Sequence, residues 1–260
     1  MNRIVTGESF NIAAGVSQTR IGVALGGGFA QGLAHVGVLR VFERAGIPVH
    51  SVAGVSWGAI AAAAFASGCS SREIEAAEQV LVSASAENLM SFAMGDFLRG
   101  LLKQTRFERM RIPLAIVASD LTAGAPVIFR DHGDVLLPLH ASCAYPGLFP
   151  PVRYLDHYLV DGMVTMEVPA APLRRMGATH VVSVAPRGPY EAFDPRDRRS
   201  VVARSFAILT ARNESHWRRS SDVAICPVVD NVDQAIEAGE RAAEEALPQI
   251  LEWLPKVAAA

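Results

Sequence analysis

Cysteine is scarce in this chain: Cys69, Cys143 and Cys226 are the only three in 260 residues, and they lie far apart. An odd, scattered set excludes a disulfide framework and any close-spaced thiol metal site, and predicts reduced thiols acting as small apolar side chains. Long apolar runs are missing as well. The longest, Ala59 to Ala66, is mostly alanine and falls well short of the ~20 residues that span a bilayer, so any membrane contact is expected to be peripheral. The first twenty residues carry Arg3, Glu8 and Arg20 among polar residues, without the continuous apolar core of a secretion signal. A cytoplasmic protein is the expectation. Nor is there a surplus of either charge. Twenty-four basic residues against 26 acidic ones leave a net charge of -2, which supplies no general attraction for nucleic acid or an anionic membrane.

What is present is core-forming material. Half of the residues are hydrophobic, enough for one large domain over residues 21–260 behind an N-terminal extension, 1–20. Apolar runs Ile21 to Leu25 and Pro48 to Ala53 read as buried strands, and Leu33 to Ala45 between them has helical spacing through Leu33, Val36, Leu39 and Phe42. Further helices are predicted over Trp57 to Ser67, over Ser70 to about Glu87 with a Ser70/Glu73 capping box, and over Val135 to Ser142, Pro169 to Met176, Ser200 to Trp217 and Val232 to Trp253. Strands are predicted at Leu114 to Ser119, Val127 to Arg130, Tyr158 to Val160, His180 to Ala185 and Val223 to Cys226. This alternation predicts an α/β sandwich: a mostly parallel central sheet with helices on both faces. Arg187 to Arg199, rich in Pro, Gly and charge, is the expected long loop.

Gly54-Val55-Ser56-Trp57-Gly58 follows a predicted strand and opens a predicted helix, the setting of a nucleophile elbow. A serine on so sharp a turn holds a strained backbone, and side chains two residues either side would clash, so Gly54 and Gly58 have a mechanical reason. A glycine-flanked turn without chemistry is the plain alternative.

Gly26-Gly27-Gly28-Phe29-Ala30-Gln31-Gly32 joins the first strand to the first helix. As a dinucleotide cradle it fails, because neither glycine frame supplies the third and sixth positions together, and no acid follows the second strand. No lysine follows either, so a phosphate P-loop fails too. As an oxyanion hole, consecutive backbone N–H groups would face a carbonyl held by Ser56. A third element, Leu159-Val160-Asp161-Gly162, ends a short apolar strand in an acid; alone, Asp-Gly reads as a surface turn.

Together these residues resemble the patatin-like phospholipase family, in its bacterial, neuropathy-target-esterase-like branch. Ala24 to Gly28 with Gly32 to Leu39 is similar to its glycine-rich block, Gly54 to Gly58 to its serine block, Ala141 to Val152 to its proline-containing block and Val160-Asp161-Gly162 to its aspartate block. The resemblance implies a three-layer α/β/α fold and a serine acyl hydrolase with a Ser-Asp dyad, with no cofactor, no metal and no catalytic histidine. Carried over by position, Ser56 is the nucleophile and Asp161 its base, Gly27, Gly28 and the N–H of Phe29 form the oxyanion hole, and Gly26, Gly32, Gly54, Gly58 and Gly162 flank the motifs. The implied substrate is a phospholipid, lysophospholipid or related acyl ester. Phe29 and Gln31 stand where the family has a further glycine and a basic residue, and Met163 replaces a small residue. These departures motivate the alternative of a lipid-binding or protein-interaction module without turnover.

A Ser-acid-His triad is the mechanistic rival, with His180 and His216 as candidates. Asp131-His132-Gly133-Asp134 reads as a turn rather than a metal cluster, and Arg212, Arg218 and Arg219 read as a solvated face. The apolar segment Met90 to Leu102 reads as core packing or as a cover over an acyl pocket.

Overall fold

The structure is a computed structural model that describes residues 19–83, 93–188, 193–212 and 214–255. Five strands run parallel at its centre. β1 (Ile21–Leu25) pairs with β2 (Val49–Val55) on one side and β7 (His180–Val184) on the other; β2 pairs onward with β3 (Leu114–Asp120), and β7 with β8 (Val223–Ile225). Every residue of β1 and β3 is buried, which is why both read as unbroken apolar runs rather than alternating ones.

Three antiparallel strands complete the sheet, and they decide where the site forms. β4 (Ala125–Arg130) lies along the whole of β3 from Ala115 to Asp120. The opposite edge of β3 is shared. β2 takes Leu114 to Val117, and β6 (His157–Asp161) takes Ala118 to Asp120. Because β2 runs parallel to β3 and β6 antiparallel, their carboxyl ends meet head-on, with Val55 opposite Val117 and Asp161 opposite Ala118. The short β5 (Val152–Tyr154), which hydrophobic pattern does not announce, pairs with β6.

Side chains alternate between two unequal cores. Ile21, Val23 and Leu25 of β1 point into the larger one, while Ala24 points into the smaller. The larger is built against α1 (Ala34–Arg44), α2 (Trp57–Ser67), α3 (Ser71–Ser83), α4 (Ala93–Leu101), α5 (Leu136–Ser142) and, at the far end, α9 (Ala235–Leu251). On the other face lie α6 (Ala170–Arg175) and α8 (Glu214–Arg218), with Leu173 and Trp217 packed on Ala24, Ala53 and Ala115. The three-layer α/β/α expectation therefore holds.

The Ser70/Glu73 box closes as expected: Ser70 N–H and its hydroxyl both donate to Glu73 Oε2, at 2.7 and 2.8 Å. The helix expected over Ser200 to Trp217 is described as α7 (Arg198–Arg212) and α8, which flank residue 213, outside the described residues. The apolar segment near residue 100 packs as core, as one of its two readings expected, since Leu98 and Leu102 are buried and Phe97 and Leu101 pack beside them. Met90 and Phe92 of that segment lie outside the described residues. Among the described residues no helix is long and apolar enough to cross a membrane, and no three His, Cys, Asp or Glu side chains gather as metal ligands.

Candidate active site

Ser56 sits at the turn between β2 and α2 with φ 54° and ψ −129°. A positive φ on a non-glycine residue costs about 1–3 kcal/mol, so the surroundings must hold it. They do so through hydrogen bonds. The Ser56 N–H donates to Ser142 Oγ at 2.8 Å, and the Ser142 hydroxyl donates onward to the Val117 carbonyl at 2.7 Å. The flanking glycines are required sterically, as the motif predicts: a Cβ at Gly54 would lie 2.4 Å from Ala59 Cα, and one at Gly58 would lie 2.3 Å from the Gly26 carbonyl oxygen.

Asp161 closes β6 and is fully buried. Its N–H donates to the Ala144 carbonyl at 3.0 Å, and its Oδ1 accepts the Met163 N–H at 2.9 Å. Oδ2 has no fully formed hydrogen bond among the described residues. Burial pushes the Asp161 carboxyl up to about 7, opposed by the Met163 N–H and by the Ser56 hydroxyl beside it. The head-on meeting of β2 and β6 thus brings a strained serine next to a carboxyl with one oxygen tied and the other open. Gly162 continues the turn because its missing Cβ would lie 2.3 Å from the Val117 carbonyl oxygen.

The glycine loop lies alongside, as the adjacency of β1 and β2 requires. Its first two N–H groups are occupied: Gly26 donates to the Val184 carbonyl at 2.9 Å and Gly27 to the Glu167 carbonyl at 3.2 Å. The Gly27 amide, one of the three expected oxyanion donors, is thus engaged with the Glu167 carbonyl in this structure. Gly28 then leads into the 3-10 turn Phe29–Leu33. The thioether of Met163 packs where a Gly27 Cβ would stand, and the Trp57 ring where a Gly32 Cβ would stand. Gln31 turns away, its amide resting against Gly188.

Two supports of this loop were not singled out from sequence. His35, fully buried on α1, is hydrogen-bonded through Nε2 to the Gly26 carbonyl at 2.8 Å, and burial lowers its pKa to about 4. The ring is therefore neutral and donates that bond. Glu167, also buried, receives Arg187 on Oε1 and the Trp217 indole N–H on Oε2 at 3.1 Å. No local pattern announces this pair, because Glu167 and Arg187 meet only when β7 lies beside β1.

The other candidates stand apart from the elbow. His180 begins β7, at the opposite edge of the sheet, and stacks on Trp253 at 4.6 Å. His216 is exposed on α8. Residues 131–134 form a turn, with Asp131 at φ 69° and Gly133 at φ 104°. Burial, and then the Asp161 charge, push the Cys143 thiol up, so it stays protonated.

A model of the patatin-like phospholipase family matches residues 23–174, more than half of the chain and the whole run from the glycine loop through Asp161 to α6. The chain belongs to this family. An uncharacterized NTE family protein of Mycobacterium tuberculosis is 31% identical over 194 residues, covering 70% of this chain and 53% of that protein. The neuropathy target esterase sws of Drosophila melanogaster is 28% identical over 192 residues, covering 66% of this chain and 13% of the fly protein. The chain spans about half the length, or less, of these curated relatives. Among solved structures, VipD from Legionella pneumophila has the same fold at a TM-score of 0.55 and 14% identity, over 89% of this chain and 67% of that one. The fold shared with that structure thus extends past the matched family segment.

Proposed function

We propose that the chain is a carboxylic ester hydrolase acting on lipid acyl esters, with Ser56 as nucleophile and Asp161 as base. The observation that carries this reading is the pairing of a positive-φ serine with a buried carboxyl whose pKa is pushed up to about 7. A carboxylate with an ordinary pKa would be a poor base at neutral pH; one near 7 matches the pH at which it must work.

In this mechanism Asp161 Oδ2 takes the Ser56 hydroxyl proton as Oγ attacks the ester carbonyl carbon. The oxyanion is met by the N–H groups of Gly28 and Phe29 and by the positive end of α2. Asp161 then returns the proton to the departing alcohol, leaving an acyl-serine. Water attacks next, giving its proton to Asp161, and the acid leaves as Ser56 Oγ recovers the proton. His35 and Glu167 hold the loop without touching substrate. Phospholipid and lysophospholipid are the substrates favoured by family membership.

A module without turnover is the competing reading, favoured by the Met163 thioether over the loop and the occupied Gly27 amide. Fluorophosphonate labelling separates the two, since only an activated serine reacts. Labelling lost in Ser56→Ala, together with p-nitrophenyl ester hydrolysis that rises with pH around 7, supports the hydrolase. Absence of labelling in the folded parent protein would overturn it.

A further inference from the structure

Helix α7 is unlike the rest of the surface. Its sequence holds Arg198, Arg199, Arg204 and Arg212 and no acid, and residues 194–219 together hold seven arginines against three acids in a chain whose net charge is -2. Its inner side packs: Phe206 meets Tyr145 edge-on at 5.0 Å. Helical spacing gathers an outer aliphatic stripe, Val201, Val202, Ile208 and Leu209, which are 39, 38, 47 and 60% exposed, with Val202 at its margin beside Gly147. Neither Arg198 nor Arg212 has an ion-pair partner among the described residues.

The position of this helix matters. Its inner face rests on the Ala141 to Val152 block, whose Ser142 holds the Ser56 amide and whose Ala144 holds the Asp161 amide. It also adjoins the Gly162–Val164 turn that follows the base, where Val164 adds another exposed aliphatic side chain. We propose that the outer face of α7 docks on an anionic lipid surface, seating the aliphatic side chains below the headgroups and the arginines among them. Aliphatic side chains in water flanked by cations, with no acid on the helix, are the complement of such a surface. Arginine stems can lie along the apolar layer while the guanidinium groups reach phosphate. This inference rests on the lipid-ester reading of the neighbouring site, which it supplies with substrate from the bilayer.

The test is co-sedimentation with vesicles of phosphatidylcholine alone and of equimolar phosphatidylcholine and phosphatidylglycerol. Binding is expected only to the anionic vesicles and should weaken as salt is raised. Arg198→Gln with Arg212→Gln should lower partitioning roughly thirtyfold, at about fivefold for each arginine near the surface. Ile208→Ser with Leu209→Ser should lower it roughly a hundredfold. Both pairs should keep Ser56 labelling and hydrolysis of a short soluble ester, since none of the four residues belongs to the site. Equal binding by the variants, no binding by the unaltered protein, or a concentration-dependent dimer dissolved by Leu209→Ser would each overturn the proposal. The two readings fail separately: vesicle binding without Ser56 labelling sinks the hydrolase and leaves the surface, and labelling without vesicle binding does the reverse.

Discussion

Two carboxyl groups of this protein are shut away from water in different regions, Asp161 at the carboxyl edge of the sheet and Glu78 within the helical layer on α3. Burial raises both, Asp161 to about 7 and Glu78 to about 8. Their surroundings differ. Asp161 has one oxygen held by the Met163 N–H and a serine hydroxyl beside the carboxyl, whereas neither Glu78 oxygen has a fully formed hydrogen bond among the described residues, the Trp57 indole being the nearby donor. A raised pKa alone therefore marks no catalytic group. What distinguishes Asp161 is a strained serine next to it and a backbone N–H that holds one of its oxygens.

Substituting each acid in turn should separate them most sharply. Asp161→Asn should lower kcat by about a hundredfold to ten-thousandfold, the range for losing a general base, while Glu78→Gln should stay within about twofold, since it touches no reacting atom. Steady-state kinetics on a soluble ester checks both, and a Glu78→Gln loss as large as that of Asp161→Asn would erase the distinction. Next in size is the glycine loop. Phe29→Pro removes a backbone donor and should cost on the order of a hundredfold in kcat, whereas Phe29→Gly keeps that donor and should remain active. Circular dichroism establishes that both variants fold.

The pH dependence of stability puts the two acids back on equal terms. Below the ordinary carboxylate range each is protonated whether the chain is folded or not, and neither affects stability. As pH rises toward 7 for Asp161 and 8 for Glu78, the unfolded chain ionises freely while the folded one must keep a proton or bury a charge. The folded state loses stability across that window. Asp161→Asn and Glu78→Gln should therefore each stabilise the protein by about 1–4 kcal/mol above pH 8 and by almost nothing at pH 4, as thermal unfolding across pH would reveal. A smaller loss of activity than those of Asp161→Asn and Phe29→Pro is expected of Glu167→Gln. It weakens the Arg187 contact but keeps the main-chain carbonyl that holds Gly27, so kcat should fall several-fold with KM unchanged. A rise in KM instead would mean that Glu167 shapes binding rather than the loop.

Much of the site was legible because it is written in short, local patterns. The elbow needs glycine at fixed offsets from Ser56 for steric reasons, and the glycine loop must follow a strand to face it. The strands that carry these motifs are continuous apolar runs, which made β1, β2, β3 and β7 recognisable. The occupied Gly27 amide was not legible, since its acceptor is the carbonyl of Glu167, far along the chain.

By itself the sequence determined the kinds of parts: an α/β alternation, a serine on a glycine-flanked turn, a loop with amides to spare and an acid at a strand end. These are consequences of side-chain size, polarity and backbone freedom over a few neighbouring residues. Only the tertiary structure decided that β2 and β6 share one edge of β3, bringing Ser56 to Asp161, and that burial there raises the pKa of the carboxyl. Strand direction, register and the exclusion of water depend on residues far apart in the chain, and no local pattern contains them.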